Sequence, residues 1–390
     1  MTSLSFLAAQ PRPDLPVARY AERLARARAL AAEQGLDAVL VGVGADLRYL
    51  AGYEALPLER LTLLVLPAAG RTTLLAPRLE AAGAAGAPAV AAGEVHLETW
   101  EETEDPLLRV RDLLGARAGR LAVSDRLAAA FLLGLQAALP GTIWSLASAV
   151  VGPLRVVKDA DEIARLERAA HAADEVIHEI AHGRLVGRTE ADVAREVRDR
   201  LIAWGHDRAD FAIVASGPNS ASPHHAVSDR AIRPGEPVVL DIGGPFGGYG
   251  SDITRTVWVT GGDPTCGPDD RFLRLYAVLR AAQAEATHAV RPGVPAERID
   301  LVAREMISAA GLGAHFIHRT GHGIGLEVHE PPYLVAGNAE PLRPGMAFSV
   351  EPGIYLEGRY GARIEDIVIC AEDGPMVLNE APRELLVVTG

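Results

Sequence analysis

The sequence predicts two domains, an α/β layer followed by an α+β unit. Three observations carry this expectation. At 390 residues the chain is long for one core. Its first 149 residues run helix, strand, short element and hairpin. Its second part repeats itself: a helix, a strand with a histidine and two strands with acids occur in one order twice, from near Gly187 and from near Gly293.

In the first part, residues 19–33 have helical spacing and Gly35 is a good stop. Residues 36–41 read as a strand, and Asp46 begins the next element. Residues 61–66 and 71–76 read as a hairpin around Ala-Ala-Gly. Residues 80–93 are so rich in Ala and Gly that their pattern is a poor guide. The first domain is therefore placed at residues 1–149, a linker at 150–161 and the second domain at 162–390. The latter opens on a long helix over residues 162–181.

The repeat is specific in its spacing. Arg233-Pro234-Gly235 is followed six residues after its glycine by Asp241, and Arg343-Pro344-Gly345 six after its glycine by Glu351. Amphipathic stretches run from Gly187 to Gly205 and from Gly293 to Gly311. Phe211 then leads to His224, and Phe316 to His322. Such a repeat is too long and too few in number for a solenoid. Two like halves suggest a pseudo-twofold site between them.

Five residues fall on this frame: Asp241, Asp252, His322, Glu351 and Glu365. Residues 238–240 and 347–350 are short, β-prone and bounded by Pro-Gly turns, so they read as buried strands. A carboxylate beside a buried strand needs a partner. Four brought together repel and raise one another's pKa, a conflict that divalent cations remove. Oxygen donors with one imidazole suit manganese first, with cobalt or zinc as alternatives. Taken singly, each residue has an ordinary explanation. Asp241 would cap or pair, Asp252 would bond its own turn, Glu365 would pair with Arg363, and His322 would be a loop histidine. Their joint occurrence at duplicated positions favours the metal. Two glycine-rich segments fit no nucleotide site. Residues 243–248 lack the lysine and helix of a phosphate loop, and residues 321–325 lack a dinucleotide-binding context.

The segments SASPHHAV, LDIGGPFGGYGSDITRTV, HRTGHGIGLEVHEPPY, LRPGMAFSVEPGIY and ARIEDIVI resemble the pita-bread metallopeptidases, closest to prolidase (Xaa-Pro dipeptidase) and aminopeptidase P. The resemblance covers residues 161–388 and, more weakly, the N-terminal segment Arg48-Tyr49-Leu50-Ala51-Gly52-Tyr53. It implies a pita-bread catalytic domain behind a creatinase/prolidase-like N-terminal domain. It also implies a homodimer. By resemblance, Asp241 chelates one metal, Asp252 and Glu365 bridge two, and His322 and Glu351 complete the second site. His224, His318 and His329 match substrate-binding histidines. His224 and His329, with Glu351, are the expected catalytic residues. His225 is read as a packed neighbour. Arg363 would orient the acids, and Tyr355 and Tyr333 are further candidates for contacting substrate.

The expected chemistry is hydrolysis of the Xaa-Pro bond. Two divalent ions about 3.5–4 Å apart lower the pKa of a shared water. Glu351 moves the proton, and an imidazole stabilises the carbonyl oxygen. The substrates are proline-containing dipeptides or short peptides. A dipeptidase must also read a free carboxylate, usually with arginine. Many prolidases place that arginine shortly after the position of His329, yet residues 330–342 contain no arginine or lysine. This favours the alternative, aminopeptidase P, but Tyr333 or an arginine from the N-terminal domain of a partner subunit would serve. The overall length and the compact segment between His329 and Pro344 resemble small prolidases, so Xaa-Pro dipeptidase is the expected activity. Methionine aminopeptidase usually lacks the N-terminal domain, and creatinase-like relatives lose the ligands. A binding module with a dead site is the alternative from another class.

The formal net charge of −13 argues against nucleic acid or anionic membrane as partner. The two cysteines, Cys266 and Cys370, make no disulfide framework. With no secretion signal and no apolar stretch of spanning length, the expected location is the cytoplasm.

Overall fold

The computed structural model describes residues 15–115 and 119–390. Two compact units divide between Arg155 and Val156.

In the first unit, helix Val17–Glu33 buries Tyr20, Leu24, Ala27 and Ala31 along one face. Gly35, at φ 67°, turns the chain out of it. Strands β1 (Ala38–Gly42), β2 (Leu63–Pro67), β3 (Thr73–Pro77), β4 (His96–Trp100), β5 (Arg120–Val123) and β6 (Ile143–Leu146) form one sheet in the order β4-β3-β2-β1-β5-β6. The expected hairpin is β2 paired antiparallel with β3. The Ala/Gly-rich stretch forms two short helices, Ala81–Ala85 and Pro88–Ala91, the second opened by a proline at its first position. Leu40, Leu63, Val65, Leu75 and Leu121 share a core with Trp100.

The residues read as a linker are largely ordered. Ser148–Arg155 is helical despite Gly152 and Pro153. Asp159 then starts helix Ala160–Ala181 with a capping box: its side chain accepts from Glu162 N at 3.0 Å, and the Glu162 carboxylate accepts from Asp159 N at 3.0 Å.

The second unit carries β7 (Phe211–Ser216), β8 (Glu236–Phe246), β9 (Tyr249–Val259), β10 (Gly321–Gly323), β11 (Glu330–Leu334), β12 (Ala347–Val350), β13 (Gly353–Leu356), β14 (Tyr360–Arg363), β15 (Asp366–Ala371), β16 (Gly374–Val377) and β17 (Leu386–Val388). One sheet runs β17-β9-β8-β7, another β11-β10-β12-β15-β16, and β13 pairs with β14. The predicted helices are Glu190–Ala203 and Ala296–Ala309. Gly247 and Gly248, both at positive φ, make the two-residue turn joining β8 to β9.

Strand alternation explains where the acids point. In β8, Val238, Leu240 and Ile242 pack with Val193, Val197 and Trp204 of the helical layer. Asp241 therefore faces the other way. In β9, Ile253, Val257 and Val259 join the same core, leaving Asp252, Thr254 and Thr256 opposite. The second half repeats this with a separate core. Phe348 and Val350 of β12 and Ile364, Val368 and Cys370 around β15 pack with Phe272, Leu279 and Ile299. Glu351 and Glu365, of opposite parity, face away from it.

The halves meet at an isolated bridge, Glu365 N donating to Thr254 O at 3.1 Å. One residue along each strand, the chemistry changes face. Arg255 donates to Asp366 Oδ1 at 2.7 Å, while Gln283 and Arg383 donate to its Oδ2 at 2.8 and 2.6 Å. Asp366 is fully buried, so losing its carboxylate removes the charge partner of the buried Arg255, which keeps only carbonyl acceptors. Asp366→Ala is expected to cost about 3–5 kcal/mol. Urea unfolding would measure it, and a loss below about 1 kcal/mol, the worth of a surface pair, would contradict this account.

Candidate metal centre

The five predicted ligand residues line one cavity of about 710 Å³. Asp252, His322 and Glu365 present donor atoms all within 4.8 Å of one another. His322 Nε2 lies 3.3 Å from Glu351 Oε1 and 3.6 Å from Asp252 Oδ2. Its Nδ1 lies 3.1 Å from Gly323 O, which fits a proton on Nδ1 and turns Nε2 toward the acids. The flanking glycines are obligatory. A Cβ at Gly321 would meet Ser349 O at 1.9 Å, and one at Gly323 would meet Pro331 O at 2.2 Å. Their absence lets β10 lie between β11 and β12 and present His322 to the acids.

The electrostatics are those of a cluster lacking its counter-charge. Burial, reinforced by Glu365, Asp241 and Glu351, pushes the Asp252 carboxyl well above the usual range. Burial does the same to Glu365, with Glu351 and Asp241 adding repulsion. Asp241 is raised by burial despite Arg363. Glu351 goes the other way: burial opposes its charge, but the hydrogen bond and charge of His322 pull it down to about 2. Asp241 Oδ1 is buried with no hydrogen-bond partner. An orphaned carboxylate oxygen, two repelling acids and an imidazole nitrogen turned toward them fit a divalent-cation site.

Arg363 does not pair with Glu365. Its Nη2 donates to Asp241 Oδ2, its Nε to Thr254 Oγ1 at 3.0 Å and its Nη1 to the Tyr355 hydroxyl at 2.8 Å. Glu365 Oε2 instead accepts from Thr254 Oγ1 at 2.7 Å. The Tyr355 hydroxyl also lies 2.9 Å from His318 Nε2, and His318 Nδ1 lies 2.7 Å from Arg319 O. Tyr355 is buried, its hydroxyl pushed up to about 12 by burial, and it stands behind the cavity rather than lining it. His318 lines the cavity, and burial lowers its pKa.

His224 is exposed and lines the cavity, although the segment carrying it is irregular rather than a strand. His225 does not line it. Its Nε2 lies 2.8 Å from Glu190 Oε2. The fully buried Glu190 also accepts from Ser216 N at 2.8 Å, Asn219 Nδ2 at 3.0 Å and Ser228 Oγ at 2.7 Å. One acid thus ties down both ends of the loop that presents His224. Nothing in the sequence singled out Glu190, which looks like any first-turn helix acid. His329 lines the cavity with its ring edge-on to His322, centroids 4.1 Å apart. Burial first, then the charges of His322 and Arg319, lower its pKa to about 4, so it is neutral near pH 7. Tyr333 does not line the cavity; its ring lies beneath the Arg319 guanidinium, 4.5 Å away. Arg319 itself lines the cavity and was missed. In the sequence nothing sets it apart from any basic residue between two histidines.

Residues 164–372 match the Metallopeptidase family M24, and residues 23–157 the Creatinase/Prolidase N-terminal domain. The chain belongs to the M24 metallopeptidase family. It is a hydrolase with the pita-bread catalytic fold behind a creatinase-type N-terminal domain, and the family implies divalent metal ions at the carboxylate cluster. It is 48% identical over 370 residues to the probable dipeptidase PepE of Mycobacterium tuberculosis, covering 95% of this chain and 96% of that protein. The crystal structure of dipeptidase PepE from Mycobacterium ulcerans superposes with a TM-score of 0.90 at 46% identity, covering 96% of this chain and 99% of that one. A prolidase from Thermococcus sibiricus superposes with a TM-score of 0.87 at 36% identity, covering 96% and 100%. Among the described residues, no helix of this M24 enzyme is long and apolar enough to cross a membrane.

Proposed function

We propose that this M24 enzyme is an Xaa-Pro dipeptidase using two divalent ions. Asp241 would hold one, Asp252 and Glu365 both, and His322 and Glu351 the second. The observation that carries the reading is the convergence of these five side chains on one cavity, with Asp241 Oδ1 left unpartnered. The oxygen-rich set favours manganese. The likeness to a prolidase and to PepE supports the substrate class. The reading includes a cytoplasmic enzyme acting as a homodimer, on the acidic charge and the family pattern.

Bound, the ions would lower the pKa of water and polarise the scissile carbonyl. The chain's own groups do the rest. Glu351 would accept a proton from the attacking water and pass it to the leaving nitrogen. His224 and the neutral His329 donate hydrogen bonds to the carbonyl oxygen as it gains charge. Arg363, held by Tyr355 and Thr254, fixes the direction of Asp241. His318, its pKa lowered by burial, has Nδ1 2.7 Å from Arg319 O and Nε2 2.9 Å from the Tyr355 hydroxyl, and forms part of the cavity wall.

Chelation should abolish cleavage of an Xaa-Pro dipeptide, and manganese should restore it better than zinc. Full cleavage by metal-free protein would refute the metal reading; no cleavage by the reloaded protein would leave a binding module. One observation favours a second reading, aminopeptidase P: no arginine or lysine occurs between His329 and Arg343. Faster cleavage of an Xaa-Pro tripeptide than of the dipeptide would select it.

A further inference from the structure

We propose that Arg319 binds the C-terminal carboxylate of the substrate and so sets the preference for dipeptides. The inference rests on the Xaa-Pro reading above. Two arginines line the cavity, Arg363 and Arg319. Arg363 is fully committed to Asp241, Thr254 and Tyr355. Arg319 is half-buried, and its guanidinium makes no hydrogen bond or ion pair with any described residue. A cation in a cavity wall with no anionic partner is suited to an anionic ligand.

Its support is aromatic. The guanidinium lies over the Tyr333 ring at 4.5 Å. A guanidinium over a ring gains cation–π support, and one whose N–H groups have no partner is able to take a carboxylate through two parallel hydrogen bonds. In an Xaa-Pro dipeptide the free carboxylate belongs to the leaving residue, within about one Cα step, ~3.8 Å, of the bond cut. Arg319 shares its wall with His329 and His224, which face that bond in the proposed mechanism. Cations adjoining the segment after His329 are engaged. Lys158 is paired with Glu330 at 2.5 Å, and Arg343 lies 3.6 Å from Glu340. Tyr333 thus acts through Arg319 rather than on substrate. The carboxylate reader missing from the segment after His329 is supplied from before His322.

The test compares manganese-loaded wild type, Arg319→Gln and Arg319→Lys on Ala-Pro, on its C-terminal amide and on Ala-Pro-Ala. For wild type the dipeptide should be preferred. In Arg319→Gln the ratio of kcat/KM for dipeptide over amide should fall about 10- to 150-fold, chiefly through the dipeptide KM. Arg319→Lys, keeping the charge but not the fork, should recover part of the ratio. Tyr333→Ala should shift it the same way by less. An unchanged ratio in Arg319→Gln, or equal losses on dipeptide and amide, would overturn the assignment while leaving Xaa-Pro cleavage intact. A wild type that cleaves none of the three substrates would instead overturn the functional reading.

Discussion

Asp252→Asn and Glu365→Gln are each expected to lose metal at both positions and to lose Xaa-Pro cleavage by well over about 100-fold, the upper range for residues that merely support a ligand. The amide isosteres keep shape and hydrogen bonds but cannot share charge between two ions. Each is buried on the side of its strand opposite the core of its own half, with a carboxylate oxygen within 4.8 Å of the His322 donor atom. Elemental analysis of the purified variants would check the first part. Either variant retaining two ions would sink the bridging assignment. The metal-free proteins should show the reverse order. Burial and mutual repulsion raise Asp252 and Glu365, so their charged forms destabilise the fold. A raised folded pKa means stability is regained as pH falls through it. Metal-free Asp252→Asn should therefore be more stable than metal-free wild type at neutral pH, with the difference shrinking as pH falls. Urea midpoints measured across that range would decide.

His224→Ala is expected to lower kcat about 10²- to 10³-fold, the scale for losing one donor to a developing oxyanion, while keeping its metal. His329→Ala should lose turnover too, with a larger rise in KM. His225→Ala should act through the loop instead. Glu190 would retain its hydrogen bonds from Ser216, Asn219 and Ser228, so the loop should loosen without detaching. Its loss of kcat should be smaller than that of His224→Ala. If His225→Ala proves the more damaging of the two, the assignment within Pro223-His224-His225 is reversed. Loss of metal from His224→Ala would place that histidine in the metal site rather than on the substrate.

Only the His225 part of the second prediction needed a partner that the sequence did not reveal, Glu190. Asp241, Asp252, Glu351 and Glu365 were legible from sequence because the information is local. Each sits on a short apolar run whose alternation commits one face to a core, and the repeat marks the same position twice. The helix starting near Glu190, the one starting near Ala296 and the β8–β9 hairpin were legible for the same reason. So was His322, through its place on the repeat, where Phe316 leads to it as Phe211 leads to His224.

Which of two adjacent residues does chemistry was less accessible. Glu365 and Asp366 are neighbours of like charge. One faces Thr254 and the other meets Arg255, Gln283 and Arg383, partners 17 to 111 positions away in the chain. The choice between His224 and His225 rested on a family register; the structure adds a partner, Glu190, 35 positions away. Arg363 went to Asp241, 122 positions distant, rather than to the nearby Glu365. Tyr355 reads as a site hydroxyl until its two long-range partners are known. Arg319 reads as an incidental basic residue until its lack of an ion pair and its seat on Tyr333 are seen. The sequence by itself determined the fold class, the repeat and the acids that face away from each core, because periodicity and turns act over a few residues. Tertiary structure alone decided which polar groups are paired and which are left open to substrate. Pairing depends on atoms brought together from distant parts of the chain, and residue type says nothing of that.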